Sequence, residues 1–436
     1  MNKRIILLIG LLFLFRLMYG LCSEFWFVDE LQIYLIGLKA FTSQTWPYYG
    51  PDVVYTNTQI PGALQGLLVA LPFYILKIPE APTILLNLLT FSSLALLVYY
   101  GSKRINSIPS WLLWVLIMTT PWTMGYGTRV VNPSYVLIFS VPFLIGLLEL
   151  LPIYKNKILS FQLSFFLLGS CTACIFQLHL SWVLLLPLTG LVFLFRLRKD
   201  LQQQGLGIGF YILGILVGGS LLIPTLLLEV EESPSVAQNV VFQVENWGNL
   251  PIIILRFFSF ASYEIPYALG GSSAVRLAII SEQWWMTPIT LVLLVLGFAQ
   301  VGLFLIVLFI KDISIEFKKI RWLVVFCIIM LYSSFFFSVK GPASHTFCIL
   351  VPLALLYSFY AYDWLFSKSS TLLKKKLLKL LKAMAIMGVL FHIGLGLYNF
   401  EHKSLYRNRN QVKQALEQMD YTILGKRRAD EWGYGY

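Results

Sequence analysis

Twelve apolar stretches alternate with polar segments along the chain, and most of them approach the length of a membrane span. They lie at residues 5–22, 59–76, 83–100, 110–126, 134–151, 161–178, 180–196, 209–228, 288–310, 322–339, 345–366 and 383–400. A helix needs about 20 apolar residues to cross a bilayer. The pattern therefore predicts an all-α polytopic integral membrane protein with about 11–12 transmembrane helices.

Three longer polar segments interrupt this pattern, at residues 23–58, 229–287 and 401–436. We predict that residues 1–400 form one transmembrane domain in which the first two segments are outer loops. Residues 401–436 are expected to be a short polar tail on the outer face.

The composition excludes an ordinary soluble domain, since 58% of the residues are hydrophobic and only 12% are charged. The net charge of +12 does not indicate nucleic-acid binding, because most Lys and Arg residues fall in short turns between apolar stretches. Such turns are typical of the inner side of a membrane. These basic turns are at residues 103–104, 155–157, 196–199, 311–321 and 368–382.

The first spans conflict with this rule if all of them cross, because Lys103 and Arg104 then lie outside. Residues 59–76 are interrupted by Pro61 and Pro72. We therefore predict that this stretch does not cross, which leaves eleven crossings with the N-terminus inside. The basic run 370–384 is amphipathic and is expected to lie on the anionic inner leaflet.

Asp29 and Glu30 are adjacent carboxylates directly after the first apolar stretch, in a chain with only 21 acidic residues. A carboxylate at this boundary can accept the proton of an attacking hydroxyl. The same segment is rich in aromatics, which suit a sugar face or a lipid: Trp26, Tyr34, Trp46, Tyr48, Tyr49 and Tyr55. The alternative is a solvated acidic turn beside an ordinary interfacial aromatic belt.

The predicted topology places further candidate binding residues on the same outer face: Arg129, Asn132, Gln177, His179, Arg256, Arg276, Lys340 and His345. Arg and Lys suit the phosphate of a lipid carrier. Each also has a plainer explanation, since Arg129 can snorkel, the histidines can end helices, and the loop arginines can pair with loop glutamates. The cysteines lie in or beside apolar stretches and suit packing. Neither a metal nor a cofactor is predicted.

The order of these segments resembles the GT-C class of membrane glycosyltransferases, within the branch of the protein O-mannosyltransferases and the aminoarabinose transferase of lipid A. The resemblance covers roughly residues 1–360. The segments that carry it are FVDELQIYLIGLKAF, TQIPGALQGLLVALPFYI, TRVVNPSYVLIF and IFQLHLSWVLLLP, together with a short inside N-terminus and a late outer loop.

The resemblance implies a hexosyl or pentosyl transferase that moves a sugar from a polyprenyl phosphate to an acceptor hydroxyl on a lipid, glycan or protein. By analogy Asp29 is the catalytic base, Glu30 orients the acceptor or helps to shape the site, and the inverting reaction needs no metal. The doubled proline of the mannosyltransferases is Ile60-Pro61 here, and their added luminal domain is absent. An envelope transferase of the bacterial inner membrane, active on the periplasmic face, therefore fits better.

Two alternatives remain open. An O-antigen ligase or polymerase would place its essential residues in 229–287 and leave Asp29 dispensable. A flippase or transporter of lipid-linked sugars would line a path with ionisable residues at mid-membrane depth. The uncharged centres of most apolar stretches favour chemistry at the surface.

Overall fold

A computed structural model describes residues 3–23, 28–53, 58–196, 201–228, 242–264, 273–338, 344–402 and 405–425. The backbone in these ranges is almost entirely helical, which confirms the predicted all-α class. Its α-helices are α1 (Lys3–Ser23), α2 (Val28–Thr42), α3 (Leu64–Ile75), α4 (Ala81–Ser102), α5 (Ser110–Thr119), α6 (Pro121–Gly127), α7 (Val136–Leu150), α8 (Phe161–Phe176), α9 (Leu185–Arg196), α10 (Leu201–Gly218), α11 (Ile223–Leu226), α12 (Leu250–Ser259), α13 (Ser273–Glu282), α14 (Met286–Val307), α15 (Ile315–Phe335), α16 (Val351–Lys368), α17 (Thr371–His402) and α18 (Leu405–Gln418).

Short 3₁₀ segments adjoin several of these helices, at Leu180–Leu184, Ser220–Leu222, Val244–Asn249, Ser344–Leu350 and Tyr421–Ile423. Within the described ranges, five helices are long and apolar enough to cross a membrane: α1, α4, α14, α16 with the turn before it, and α17. A sixth span exists if α10 and the segment after it, bent by 45°, count as one. Other apolar stretches form shorter helices, so the eleven predicted crossings stay a prediction.

The first long polar segment is folded, which its sequence pattern did not predict. After α2 it forms an antiparallel hairpin of β1 (Tyr49–Val53) and β2 (Thr58–Pro61). Gly62 closes the turn into α3 with a φ of +105°. A Cβ there would lie 2.5 Å from the Cγ of Gln177, so the hairpin packs directly against the end of α8.

Between α1 and α4 the chain leaves one end of the bundle and returns to it. Arg409 of α18 donates to the carbonyl of Leu21 at the end of α1, and its Nε lies 3.4 Å from Glu80 just before α4. The end of α1 and the start of α4 therefore meet. The twelve residues of α3 cover only about 18 Å, less than the roughly 30 Å of hydrocarbon. These contacts agree with the expectation that this stretch does not cross.

We call this end of the bundle the outer end, following the predicted topology, and the opposite end the basic end. At the basic end Arg104 lies 2.5 Å from Glu149, the carboxylate near the end of α7. Glu149 also accepts from the Tyr100 hydroxyl at 2.7 Å and from the Ile158 amide at 2.9 Å. This buried pair joins α4 to α7.

Pro121 separates α5 from α6, and a buried arginine donates hydrogen bonds to backbone carbonyls on both sides of this break. Thr120 is extended there, with ψ of 142°, and proline supplies no amide hydrogen. The fully buried Arg16 of α1 donates at 2.9 Å to the carbonyls of Met118 and Thr123. Arg16 therefore has structural partners on the backbone at this break.

The segment after α12 enters the bundle, although it belongs to the predicted outer loop 229–287. The Tyr263 hydroxyl lies 2.6 Å from the hydroxyl of Thr119 in α5. Its backbone amide donates at 2.8 Å to Gln300 in α14. A Cβ on Gly297 would lie 2.6 Å from the amide nitrogen of Glu264. Gly297 of α14, which has no side chain, thus makes room for this segment.

The described part of the polar tail packs on α2. Val412, Ala415 and Leu416 of α18 are buried, as is Leu424 beyond it. Lys39 of α2 lies 6.0 Å from the centre of the Tyr421 ring. The tail is therefore part of the outer end. At the opposite end, the basic run 370–384 is the first half of the continuous helix α17, and no separate surface helix forms there.

Candidate active site

Two stacked aromatic rings of α6 form the centre of the candidate site. Trp122 and Tyr126 are four residues apart, so both lie on one face of the helix. Their ring centres are 5.7 Å apart with an interplanar angle of 14°. Phe260, from the segment after α12, meets Trp122 edge to face at 4.8 Å. The sequence PWTMGYG carries this i, i+4 aromatic pair, which was not selected as a site from the sequence.

Besides the thiol of Cys348, charged groups from three separate segments lie close enough to the Tyr126 hydroxyl to influence it electrostatically. They are Glu30 of α2, Arg129 just after α6, and Arg256 of α12. Glu30 is buried, with 6% of its surface exposed. The fold thus places an acid and two cations in one electrostatic neighbourhood, although together they span more than 200 positions of the sequence.

Asp29 lies in the first turn of α2, directly before Glu30. The structure describes the backbone of Asp29, and its side chain lies outside the described parts. Carboxylates in the first turn of a helix interact favourably with the positive end of the helix dipole. The helical start of the segment explains why the acidic pair occurs there, and the base role of Asp29 stays a prediction.

Arg256 is almost fully buried and belongs to the site. Its guanidinium carbon lies 6.0 Å from the centre of the Trp122 ring, within the range of a cation–π contact. Burial lowers the pKa of Arg256 to about 10, and the nearby charge of Glu264 opposes that change. A guanidinium held in such surroundings is suited to a phosphate.

Glu264 is a buried carboxylate that the sequence did not single out from the other loop glutamates. Burial raises its pKa to about 7, while Arg256 and Arg276 act in the opposite direction. Its backbone amide donates to the Ser262 hydroxyl at 3.1 Å. Arg276, on α13, therefore shares an electrostatic neighbourhood with Arg256 and Glu264. Both arginines therefore act electrostatically on the same acid.

The turn that carries Arg129 and Asn132 is held by hydrogen bonds to the end of α6 and within the turn itself. The side chain of Arg129 donates to the carbonyl of Gly125 at 3.1 Å. The Ser134 hydroxyl donates to the carbonyl of Arg129 at 2.7 Å. Asn132 has a buried side-chain oxygen that accepts no hydrogen bond from the described residues. A ligand donor could satisfy that oxygen.

Gln177 and His179 hold helix ends in place. Gln177 is fully buried, and its side-chain nitrogen donates to the carbonyl of Gly218 at 2.8 Å and to that of Ala173 at 3.2 Å. His179 accepts through Nδ1 from the Ser181 amide at 3.1 Å and so caps the 3₁₀ turn before α9. These contacts agree with the plainer explanation of both residues.

Apart from the cluster around Tyr126, the outer end has a cleft of about 320 Å³ between α2 and the hairpin, and Trp46 lines it. We call it the second outer cleft. Lys39 and Gln59 contribute polar groups to it, and Tyr48 and Tyr49 contribute further rings. About a third of the surface of Trp46 is exposed, so its ring is accessible to a sugar. Tyr55 and Lys340 lie outside the described residues, as does the side chain of His345.

No protein-family model and no curated protein matches the sequence. Among solved structures, the chain is similar to ArnT from Cupriavidus metallidurans, in a crystal structure bound to undecaprenyl phosphate. The TM-score is 0.52 with 11% sequence identity, over 96% of this chain and 74% of that one. The similarity confirms the predicted GT-C type fold of a polytopic membrane protein.

Proposed function

We propose that the protein is a membrane glycosyltransferase that moves a sugar from a polyprenyl phosphate to an acceptor hydroxyl of the cell envelope. The observation that carries this proposal is the meeting of Arg129 and Arg256 with the stacked rings of α6 at the outer end of the bundle, where Glu30 is close enough to influence the Tyr126 hydroxyl. An acid beside two cations and stacked rings suits a sugar linked to a phosphate. The fold shared with ArnT, whose crystal structure contains undecaprenyl phosphate, supports a lipid-linked donor.

In the proposed reaction Asp29 accepts the proton of the acceptor hydroxyl. The acceptor oxygen attacks the anomeric carbon from the side opposite the phosphate, and the bond between that carbon and the phosphate oxygen breaks. The polyprenyl phosphate leaves with the bonding electrons and the configuration inverts. Arg256 and Arg129 stabilise the charge that develops on the phosphate, while Glu30 orients the acceptor.

The second outer cleft suits the acceptor. Glu30 and Lys39 are nine residues apart on α2, which corresponds to about 13 Å along a helix. An extended glycan or lipid headgroup covers such a distance, with its rings stacked on Trp46 and its hydroxyls near Gln59. We propose that the site extends from the Tyr126 cluster along α2 to this cleft, on the periplasmic face of a bacterial inner membrane.

An O-antigen ligase or polymerase remains the second candidate, because Arg256 and Glu264 come from the loop that such an enzyme would use. The two candidates differ in what they require of Asp29. A transporter is less well supported, since the buried Arg16 bonds to backbone carbonyls at a helix break.

The experiment that tests the proposal compares lipids from cells with and without the gene. Loss of a transferase should leave its polyprenyl-phosphate sugar accumulated, and mass spectrometry should identify both the sugar and the unmodified acceptor. Purified protein in detergent should then convert that donor and acceptor into product. A transporter yields no product in detergent, because there is no membrane to cross, and that result would overturn the proposal.

A further inference from the structure

A cleft at the basic end lies far from the candidate active site. It has a volume of about 320 Å³, and three segments of the chain form its walls. The turn after α7 supplies Lys155 and Lys157, α9 supplies Arg196, and α15 supplies Lys319. Four cations therefore converge on one opening.

Three of the four cations also hold the end of α7. Lys157 donates to the carbonyl of Leu151 at 3.0 Å, and Arg196 donates through Nε to that of Leu150 at 2.8 Å. Lys319 donates to the carbonyl of Pro152. Since an ammonium group has three donors, each lysine can bind a further acceptor in the cleft.

The nearby carboxylate of Glu149 does not neutralise this group. Both of its oxygens already accept hydrogen bonds, one from Arg104 and Tyr100 and the other from the Ile158 amide. Burial lowers the pKa of Lys157 to about 8; the charge of Glu149 opposes that change, and the charges of Arg196, Arg104 and Lys319 act in the same direction as burial. An anion in the cleft would relieve that repulsion.

The other walls of the cleft are apolar. Leu150, Ile153 and Phe195 line it. Phe195 is about half exposed at the end of α9, and its neighbour Leu194 is exposed as well. A cationic cleft that opens beside exposed apolar side chains suits a phosphate attached to an acyl chain.

We propose that this cleft binds a phosphate-bearing anion, with Lys155, Lys157, Arg196 and Lys319 around the phosphate and the apolar wall beside it. The source of the phosphate is a lipid headgroup or a free phosphate, and both present the same acceptor oxygens to these donors. The proposal does not depend on the sugar-transfer reaction.

The test measures binding with three probes on purified protein in a neutral detergent: inorganic phosphate, short-chain phosphatidylglycerol and short-chain phosphatidylcholine. Native mass spectrometry and the shift in apparent Tm report binding. The variant carries Lys155→Gln, Lys157→Gln and Lys319→Gln. The control carries Lys311→Gln, Lys318→Gln and Lys374→Gln, three exposed lysines of the same end that do not line the cleft.

We expect roughly tenfold weaker binding in the variant and unchanged binding in the control. Binding of phosphatidylglycerol alone identifies a lipid headgroup site, whereas binding of inorganic phosphate as well identifies a general phosphate site. Equal affinities of variant and control, or no binding of either anion by the wild type, overturn the proposal. The single change Lys155→Gln keeps the three carbonyl contacts and should weaken binding with the baseline Tm retained.

Discussion

Asn87 of α4 donates a hydrogen bond to the carbonyl of Thr128, at 2.8 Å, and thereby fixes the turn that carries Arg129. Gly20 of α1 lies against the same carbonyl. A Cβ at that glycine would be 2.3 Å from the Thr128 oxygen and 3.0 Å from the Asn87 side-chain nitrogen. Helices α1 and α4 and the end of α6 therefore meet at one polar contact, directly before the turn that carries Arg129.

Replacing Gly20 with Ala should displace this turn and disturb the position of Arg129. We expect the variant to lose about 1–3 kcal/mol of stability, as overpacked sites do, together with transfer activity. The matched control is Gly10→Ala on the same helix, where a Cβ meets nothing within 4 Å. Apparent Tm and activity are measured for both, and equal values in the two variants would show that the contact does not position the turn.

Stability should depend on pH through Glu264. Its pKa is about 7 in the folded protein against 4.5 for a free carboxyl. Between these values the unfolded chain loses the proton and the folded chain keeps it, so stability falls as pH rises from about 4.5 to about 7. The change is roughly 3 kcal/mol at most.

The variant Glu264→Gln should flatten this part of the profile, and Glu417→Gln, on an exposed face of α18, should leave it unchanged. Apparent Tm measured from pH 5 to pH 8 in one detergent gives the comparison. A slope that persists in Glu264→Gln would assign the titration to another group.

The buried pair of Arg104 and Glu149 should contribute more to stability than an exposed pair at the same end. Glu149→Gln leaves a buried cation without its charge partner, which typically costs about 3–5 kcal/mol. Asp312→Asn breaks the exposed pair with Lys368 and should cost no more than about 1 kcal/mol. Thermal unfolding of the two variants measures the difference, and similar losses would contradict it.

The tail should be needed for activity through its contact with α2. Val412 lies on the buried face of α18. Val412→Asp therefore places a charge in the interface between α18 and α2, and it should detach α18. Lys413→Ala alters an exposed neighbour and is the control. We expect the first variant to lose transfer while it still inserts, with limited proteolysis showing earlier cleavage of the tail. Wild-type activity in Val412→Asp would make the tail dispensable.

The sequence predicted the helical class because spans carry their pattern in long apolar runs. The turn at Lys103 and Arg104 predicts that one early stretch does not cross, and this stays a prediction. It did not predict the hairpin, because Tyr49–Val53 is short and contains Gly50 and Pro51. Glu264 and the Tyr126 stack were missed for another reason. The Trp122–Tyr126 stack is local in sequence, but its contacts with Phe260 and Arg256 come from distant segments, as do the charges around Glu264, and no local period reports such contacts.

The proposed role of Asp29 as the base that accepts the proton is tested by Asp29→Asn in a transfer assay with purified protein, donor and acceptor. The control is Asp312→Asn at the opposite end of the bundle. Because a positioned base contributes about 10²–10⁴-fold, transfer should fall at least about a hundredfold, while binding of undecaprenyl phosphate and the apparent Tm stay at wild-type values. Full transfer by Asp29→Asn would show that Asp29 is not the catalytic base.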